Sequence, residues 1–208
     1  VRHVVDALAA AGEASAVNDI LEPQALTAVD RAHYSQAIAF AEAAHEGQVR
    51  KGTDRPYAVH PLEVGALLAH HYPERPDLIA AGFLHDTIED THVRRADLAE
   101  RFGPETARLV VAVTKRWYKA PWSLDVGDLD IVRLKAADCV SNIRATVVDL
   151  RAHGPGVWRR FRGGERAKRD YYRRLTRSIG EAIPAEPLAL RLIELHGLLE
   201  AERPAVRR

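Results

Sequence analysis

Leu78-Ile79-Ala80-Ala81-Gly82-Phe83-Leu84 is an unbroken apolar run, and it ends abruptly in His85-Asp86-Thr87-Ile88-Glu89-Asp90. The run reads as a buried helix. The fold must therefore bring one imidazole and three carboxylates to the edge of the core. His85 and Glu89 stand at i, i+4, as do Asp86 and Asp90, which stacks them on neighbouring helix faces. Carboxylates crowded at the carboxyl end of a helix repel one another and face the negative pole of its macrodipole. Something positive must offset that: a bound divalent metal, or the nearby Arg94 and Arg95.

The rest of the chain reads as helix almost throughout, with no convincing strand or hairpin pattern. Helices are predicted over about 4–12, 26–46, 61–72, 76–90, 96–102, 104–115, 127–152, 164–181 and 186–201. Pro61, Pro76 and Pro104 sit where a first helical turn tolerates proline, and Gly103 and Gly154 follow helix ends. The expected fold is all-α, a helical bundle with a metal-centred cleft. Its expected divisions are an extension over 1–25, a main domain over 26–182 that carries the cluster, and an amphipathic helix with a frayed tail over 183–208. That last helix either caps the core or forms the seam of a homo-oligomer, capping being the simpler use of its apolar face.

A net charge of +1 argues against general electrostatic capture of nucleic acid. The single cysteine, Cys139, rules out an internal disulfide and fits a reducing cytoplasm. It lies mid-helix among apolar residues and reads as a small buried hydrophobe. No segment is long enough to cross a bilayer, and the opening residues lack a signal-peptide core, so no membrane partner is expected. The chain contains no methionine, which makes Val1 either a non-ATG start or a processed end.

Two further residues sharpen the opening cluster. His60 immediately precedes Pro61, which puts an imidazole at a helix N-terminus. Asp138 shares one helical sector of roughly 80° with Ile131, Leu134 and Asn142. An ionised aspartate on an apolar, inward face is costly unless paired or coordinated. His60, His85, Asp86 and Asp138 together suit one divalent ion with positions left open for water: manganese, iron or zinc.

With these residues in place, the sequence resembles a family. A His-Asp pair with an upstream His and a downstream Asp is the pattern of the HD phosphohydrolases. Ala44-His45-Glu46-Gly47-Gln48-Val49-Arg50-Lys51, Pro56-Tyr57-Ala58-Val59-His60-Pro61 and His85-Asp86-Thr87-Ile88-Glu89-Asp90-Thr91 are similar to its alarmone-hydrolase branch. Phe102-Gly103, Val113-Thr114-Lys115 and Lys135-Ala136-Ala137-Asp138 continue the match in order, over about residues 33–146. That branch includes the hydrolase domain of RelA/SpoT-type enzymes and the small stand-alone alarmone hydrolases.

The resemblance implies removal of the 3′-pyrophosphate from guanosine tetra- or pentaphosphate, with manganese as the first choice of metal. It implies Glu89 and Asp90 for proton transfer or orientation of the attacking water. Arg50 and Lys51 would face the phosphorylated nucleotide, Asn142 would contact it from one turn after Asp138, and Lys115 and Lys168 are further candidates for phosphate.

The chain also departs from the branch. Lys115 to Asp138 is compact, holding Trp117, Tyr118, Trp122 and Asp125, and Cys139-Val140-Ser141-Asn142 stands where the family reads Arg-Leu-His-Asn. Those departures leave open an HD phosphohydrolase for another nucleotide: an adenosine alarmone, a nucleotide monophosphate or a biosynthetic intermediate. A non-catalytic nucleotide sensor is a third reading. Among lesser features, Tyr57 reads as packing and Lys135 as a surface side chain snorkelling along its helix. The aromatic and basic stretch 158–174 reads as an amphipathic cover for the core that could also close over phosphate.

Overall fold

Proline falls in the first turn of helices where the sequence places it, and one of the predicted helices breaks at its functional residues. The computed structural model describes residues 21–25, 27–115 and 123–202. The predicted helix at 4–12, Trp117, Tyr118, Trp122 and the tail 203–208 lie outside them. Helices α1 (Ala28–His33) and α2 (Ser35–Ala44) share the predicted 26–46 span. The Thr27 hydroxyl caps α1 by accepting from the Asp30 N–H. Then come α3 (Val59–His71), α4 (Pro76–Leu84) and the single turn α5 (Thr87–Asp90). They are followed by α6 (Arg95–Phe102), α7 (Pro104–Val113) and the long α8 (Leu129–His153). A 3₁₀ segment (Gly154–Arg160), α9 (Gly164–Ala182) and α10 (Pro187–Ala201) complete the described chain. No described residues form a strand; Val49 and Pro56 make an isolated antiparallel bridge. Among the described residues no helix is long and apolar enough to cross a membrane.

The predicted 76–90 helix is divided because α4 stops at Leu84. Its last carbonyls are taken by side chains just beyond it. The Thr87 hydroxyl donates to the Leu84 carbonyl at 2.7 Å, and His85 Nδ1 lies 2.9 Å from the Gly82 carbonyl. Carbonyls at a helix end need such partners, so the His-Asp segment itself terminates the apolar helix.

The described residues form two compact units: residues 24–138, and residues 21–23 with 139–202. This division falls within the expected 26–182 span. In the first unit α4 packs against α2, α3 and α7, and α6 packs against α7. Leu67, Leu68, Leu78, Ile79, Phe83 and Leu84 are fully buried there. In the second unit α9 packs against α10 and the 3₁₀ segment. Buried Arg169 donates to the Leu199 and Glu202 carbonyls and so caps the end of α10. Leu188, Leu192, Leu195 and Leu199 turn the apolar face of α10 into the interior of this unit.

The contact between α3 and α4 is close because both helices present glycine. A Cβ on Gly65 would lie 2.2 Å from Phe83 Cε1, and one on Gly82 would lie 2.6 Å from Leu68 Cδ1 and 3.1 Å from Gly65 Cα. His60 is carried by α3, and His85 follows α4 directly. The spacing of the imidazoles thus depends on two absent side chains. Gly65→Ala gains about 1 kcal/mol of helix propensity but drives a methyl group into a fully buried ring. Overpacking of this kind costs about 1–3 kcal/mol, and more where a ring cannot move. We expect Gly65→Ala to lower the midpoint of thermal unfolding by several degrees. A midpoint at or above the parent's would show that the helices are not in tight contact there.

Candidate metal centre

His60, His85, Asp86 and Asp138 converge within the unit 24–138, although they come from three separate stretches of sequence. His60 Nε2 lies 3.5 Å from Asp86 Oδ2 and 3.3 Å from Asp138 Oδ1. His85 Nε2 lies 3.2 Å from Asp86 Oδ2 and 3.9 Å from Asp138 Oδ1. The imidazole rings meet edge to face with centroids 5.0 Å apart. Both histidines and Asp138 are buried, and Asp86 is nearly so. The facing atoms of His60, His85 and Asp86 all lie within 4.8 Å of one another, close enough to share one ion.

Local hydrogen bonding fixes how these groups face each other. His85 Nδ1 donates to the Gly82 carbonyl in the neutral tautomer, leaving Nε2 as a lone pair aimed at a carboxylate. That Nε2 is buried and has no hydrogen-bond partner. A lone pair facing a carboxylate inside a protein needs either a proton or a cation between them. The donor set of imidazole nitrogens and carboxylate oxygens fits a divalent metal. Asp138 presents Oδ1 to the imidazoles, and its Oδ2 accepts from Lys135 Nζ at 2.5 Å.

The electrostatics follow the same geometry. Burial opposes charge on His85, but the carboxylates of Asp86 and Asp138 outweigh it and hold its pKa up, at about 9. Burial acts against ionisation of Asp86 and Asp138 too, yet their pKa values are lowered, by the imidazoles for Asp86 and by Lys135 and the imidazoles for Asp138. Burial also lowers the pKa of His60, only partly countered by Asp138. The centre is therefore a buried cluster in which the imidazoles and Lys135 hold two carboxylates ionised.

Glu89 and Asp90 sit on α5, the turn after the His-Asp pair. Glu89 is half-buried, its Oε2 accepts the backbone N–H of Lys115 at 2.8 Å, and burial raises its pKa against the pull of Lys115. Asp90 is exposed at the rim. The expectation that Arg94 and Arg95 might supply the offsetting charge is corrected for Arg94, whose guanidinium is committed to Asp97 at 3.0 Å.

Arg50 is half-buried and Lys51 exposed, in the loop between α2 and α3. The Arg50 guanidinium lies 5.7 Å from the centre of the Tyr57 ring. Lys115 is half-buried at the end of α7 and tied to Glu89 through its backbone. Asn142 and Lys168 belong to the other unit. Asn142 lies on α8 one turn beyond Asp138, and Lys168 Nζ lies 4.5 Å from the Tyr172 ring centre and 5.1 Å from that of Phe161.

Three participants escaped the sequence reading. Lys135 is buried against Asp138 and is not a surface side chain. The Tyr57 hydroxyl reaches Asp86 Oδ2 at 2.6 Å and Asp90 Oδ2 at 2.9 Å, so Tyr57 does more than pack. Gln48 Nε2 donates to the Asp90 carbonyl at 3.0 Å. The i−3 spacing of Lys135 to Asp138 was available as a signal, since residues three apart share a helix face. No local pattern links Gln48 to Asp90.

Added Mn²⁺ should raise the thermal midpoint, by about 2.7 kcal/mol of stabilisation at a hundredfold excess over Kd. Chelation should reverse the shift, and Asp86→Ala should abolish it. Lys135→Met leaves a buried carboxylate without its ammonium, a loss that typically costs about 3–5 kcal/mol. A divalent ion can take over as counter-charge, so the metal-dependent rise in midpoint should be larger in Lys135→Met than in the parent. A smaller rise would mean that Lys135 assists metal binding in some other way.

Residues 37–125 match the family model described as HD domain. A GTP pyrophosphokinase of Myxococcus xanthus is 44% identical over 80 residues, covering 38% of this chain and 10% of that protein. The guanosine-3′,5′-bis(diphosphate) 3′-pyrophosphohydrolase of Aquifex aeolicus is 43% identical over 90 residues, covering 40% of this chain and 13% of that one. The matches thus span only about a tenth of these longer relatives. Among solved structures, lmo0812 of Listeria monocytogenes shares 25% identity at a TM-score of 0.56, over 68% of this chain and 97% of that one. A metazoan ortholog of SpoT that hydrolyses ppGpp shares the fold at a TM-score of 0.60, with 24% identity over 79% of this chain and 93% of that one. The buried His-Asp pair at the end of the apolar helix thus lies in a segment that matches the HD domain model and resembles parts of GTP pyrophosphokinases and of a guanosine-3′,5′-bis(diphosphate) 3′-pyrophosphohydrolase.

Proposed function

We propose that the chain is a metal-dependent hydrolase that removes the 3′-pyrophosphate of guanosine tetra- or pentaphosphate in the cytoplasm, with manganese at His60, His85, Asp86 and Asp138. The observation that carries this reading is the meeting of two imidazoles and two carboxylates, with the Glu89-Asp90 pair on the next turn. When bound, a divalent cation supplies Lewis-acid chemistry, lowering the pKa of a water and offsetting charge on the phosphoryl oxygens.

The protein's own residues do the rest. Asp90, at the rim, accepts a proton as water attacks the phosphorus bonded to the ribose 3′-oxygen. The bond between that oxygen and phosphorus breaks, its electron pair stays with the 3′-oxygen, and a proton returns to it. Glu89, which burial keeps more easily protonated than an ordinary glutamate, suits that return. The products are pyrophosphate and GDP or GTP. Arg50 and Lys51 provide cationic contacts from the loop before α3, and Lys115 from the end of α7.

A second reading, hydrolysis of a different phosphorylated nucleotide, draws on the Cys139-Val140-Ser141 departure and the compact Lys115–Asp138 segment. A manganese-supplemented panel of nucleotides with product identification separates the two. GDP and pyrophosphate from guanosine tetraphosphate are expected; turnover confined to another nucleotide would transfer the assignment. Glu89→Gln should reduce kcat by about 10²–10⁴-fold, the usual contribution of a general acid–base group, while Mn²⁺ still raises the thermal midpoint. If the parent turns over nothing and Asp86→Ala binds nucleotide equally well, the chain is a sensor.

A further inference from the structure

The loop between α2 and α3 is fastened to Asp90 at two points. The Gln48 amide donates to the Asp90 carbonyl at 3.0 Å, and the Tyr57 hydroxyl reaches the Asp90 carboxylate at 2.9 Å. The loop is closed on itself as well: Tyr57 N–H donates to the Gln48 carbonyl, and Val49 bridges Pro56. Because Gln48 Nε2 is the donor to Asp90, its Oε1 is the acceptor that faces His45 Nδ1 at 3.0 Å. His45 is buried and stacks on the Tyr57 ring with centroids 4.8 Å apart. That ring also meets His60 edge to face, at 6.2 Å. The ring thus contacts two histidines, and its hydroxyl is fixed by two carboxylate partners.

That hydroxyl has one hydrogen and two carboxylate neighbours. The Asp86 oxygen it reaches, Oδ2, is the same atom that faces both imidazoles. We propose that Tyr57 is a positioning residue of the hydrolytic centre, its hydroxyl tying the metal-facing oxygen of Asp86 to the carboxylate of Asp90. The proposal deepens the hydrolase reading above and rests on it for the part played by Asp90. Asp86 and Asp90 are like charges at i, i+4, which would otherwise move apart. A shared donor holds them together; were a cation bound at Asp86, that oxygen would be the poorer acceptor and the hydroxyl would donate to Asp90. Occupancy of the metal site and orientation of the proton acceptor are thereby linked through one O–H. Because the same loop carries Arg50 and Lys51, its fastening also sets the distance from the proposed substrate contacts to Asp90.

Tyr57→Phe keeps the stacked ring and removes only the hydroxyl. Groups that orient metal ligands are typically worth about 10–100-fold in affinity or activity. Calorimetric titration with Mn²⁺ should therefore give a Kd about tenfold weaker than the parent's. At saturating Mn²⁺, kcat on guanosine tetraphosphate should fall about 10–100-fold, with KM within about threefold. In an Asp90→Asn background the same substitution should change kcat by less than about threefold, because the partner has already gone. Equal losses in both backgrounds, or Tyr57→Phe with parental kcat and Mn²⁺ affinity, would overturn the proposal. If the parent hydrolyses no nucleotide, the function above fails by itself. The Mn²⁺ titration then decides for Tyr57: a tenfold weakening supports its hold on Asp86, and an unchanged Kd removes it.

Discussion

Two buried carboxylates, Asp86 and Asp138, set the terms for everything around them. A charge moved out of water into a protein interior costs several kcal/mol even after relaxation. Attraction between unit charges 4 Å apart recovers about 4 kcal/mol at an effective dielectric constant near 20. One partner per carboxylate is thus roughly break-even, and the structure supplies more than one to each. Asp138 has the Lys135 ammonium at one oxygen and the His60 imidazole at the other. Asp86 has two imidazoles and the Tyr57 hydroxyl at a single oxygen. Two carboxylates and two imidazole nitrogens facing one point form a donor set that fits a divalent cation.

The apolar scaffold provides the rigidity that such an arrangement needs. His60 is borne on a helix whose residues from Val64 to Leu68 are almost wholly buried, and His85 follows directly on Phe83 and Leu84, which are also buried. Because Gly65 and Gly82 face one another, the helices approach until side chains from each touch the other's backbone. The imidazoles are therefore placed by close packing, and a misfit of one methyl group in the core would be felt at the ligand atoms. Packing energy is converted into ligand geometry by two glycines.

Much of this could be read from the sequence because it is carried by chemistry local to the chain. The apolar run 78–84, Pro61, Pro76 and Pro104, and the inward face of Ile131, Leu134 and Asp138 each imposed a helix or a buried polar group that the structure contains. What could not be read is tertiary. Gln48 and Asp90 are 42 residues apart, and nothing in either neighbourhood announces the amide-to-carbonyl bond. Lys135 was misread because a lysine on a helix is ordinarily solvated. Here it lies three residues before a buried carboxylate, and charge pairing overrides the propensity for surface. The break at His85 was missed for a related reason. Periodicity runs through to Asp90, but side chains at 85 and 87 satisfy the carbonyls that another turn of α4 would have used.

The order of ligands along the chain also has a physical logic. His60 enters at the start of one helix, His85 and Asp86 leave at the end of another, and Asp138 projects from the body of a third. A helix start and a helix end are where the chain can turn toward a shared point, and mid-helix Asp138 needs Lys135 to make its burial tolerable. The carboxylates raise the pKa of His85, to about 9, against the effect of its burial. A divalent cation meets the same field with twice the charge and no need for the imidazole to ionise. The same carboxylates would favour a divalent cation, and the Gly82 carbonyl, by accepting from Nδ1–H, leaves Nε2 as the nitrogen that would face it.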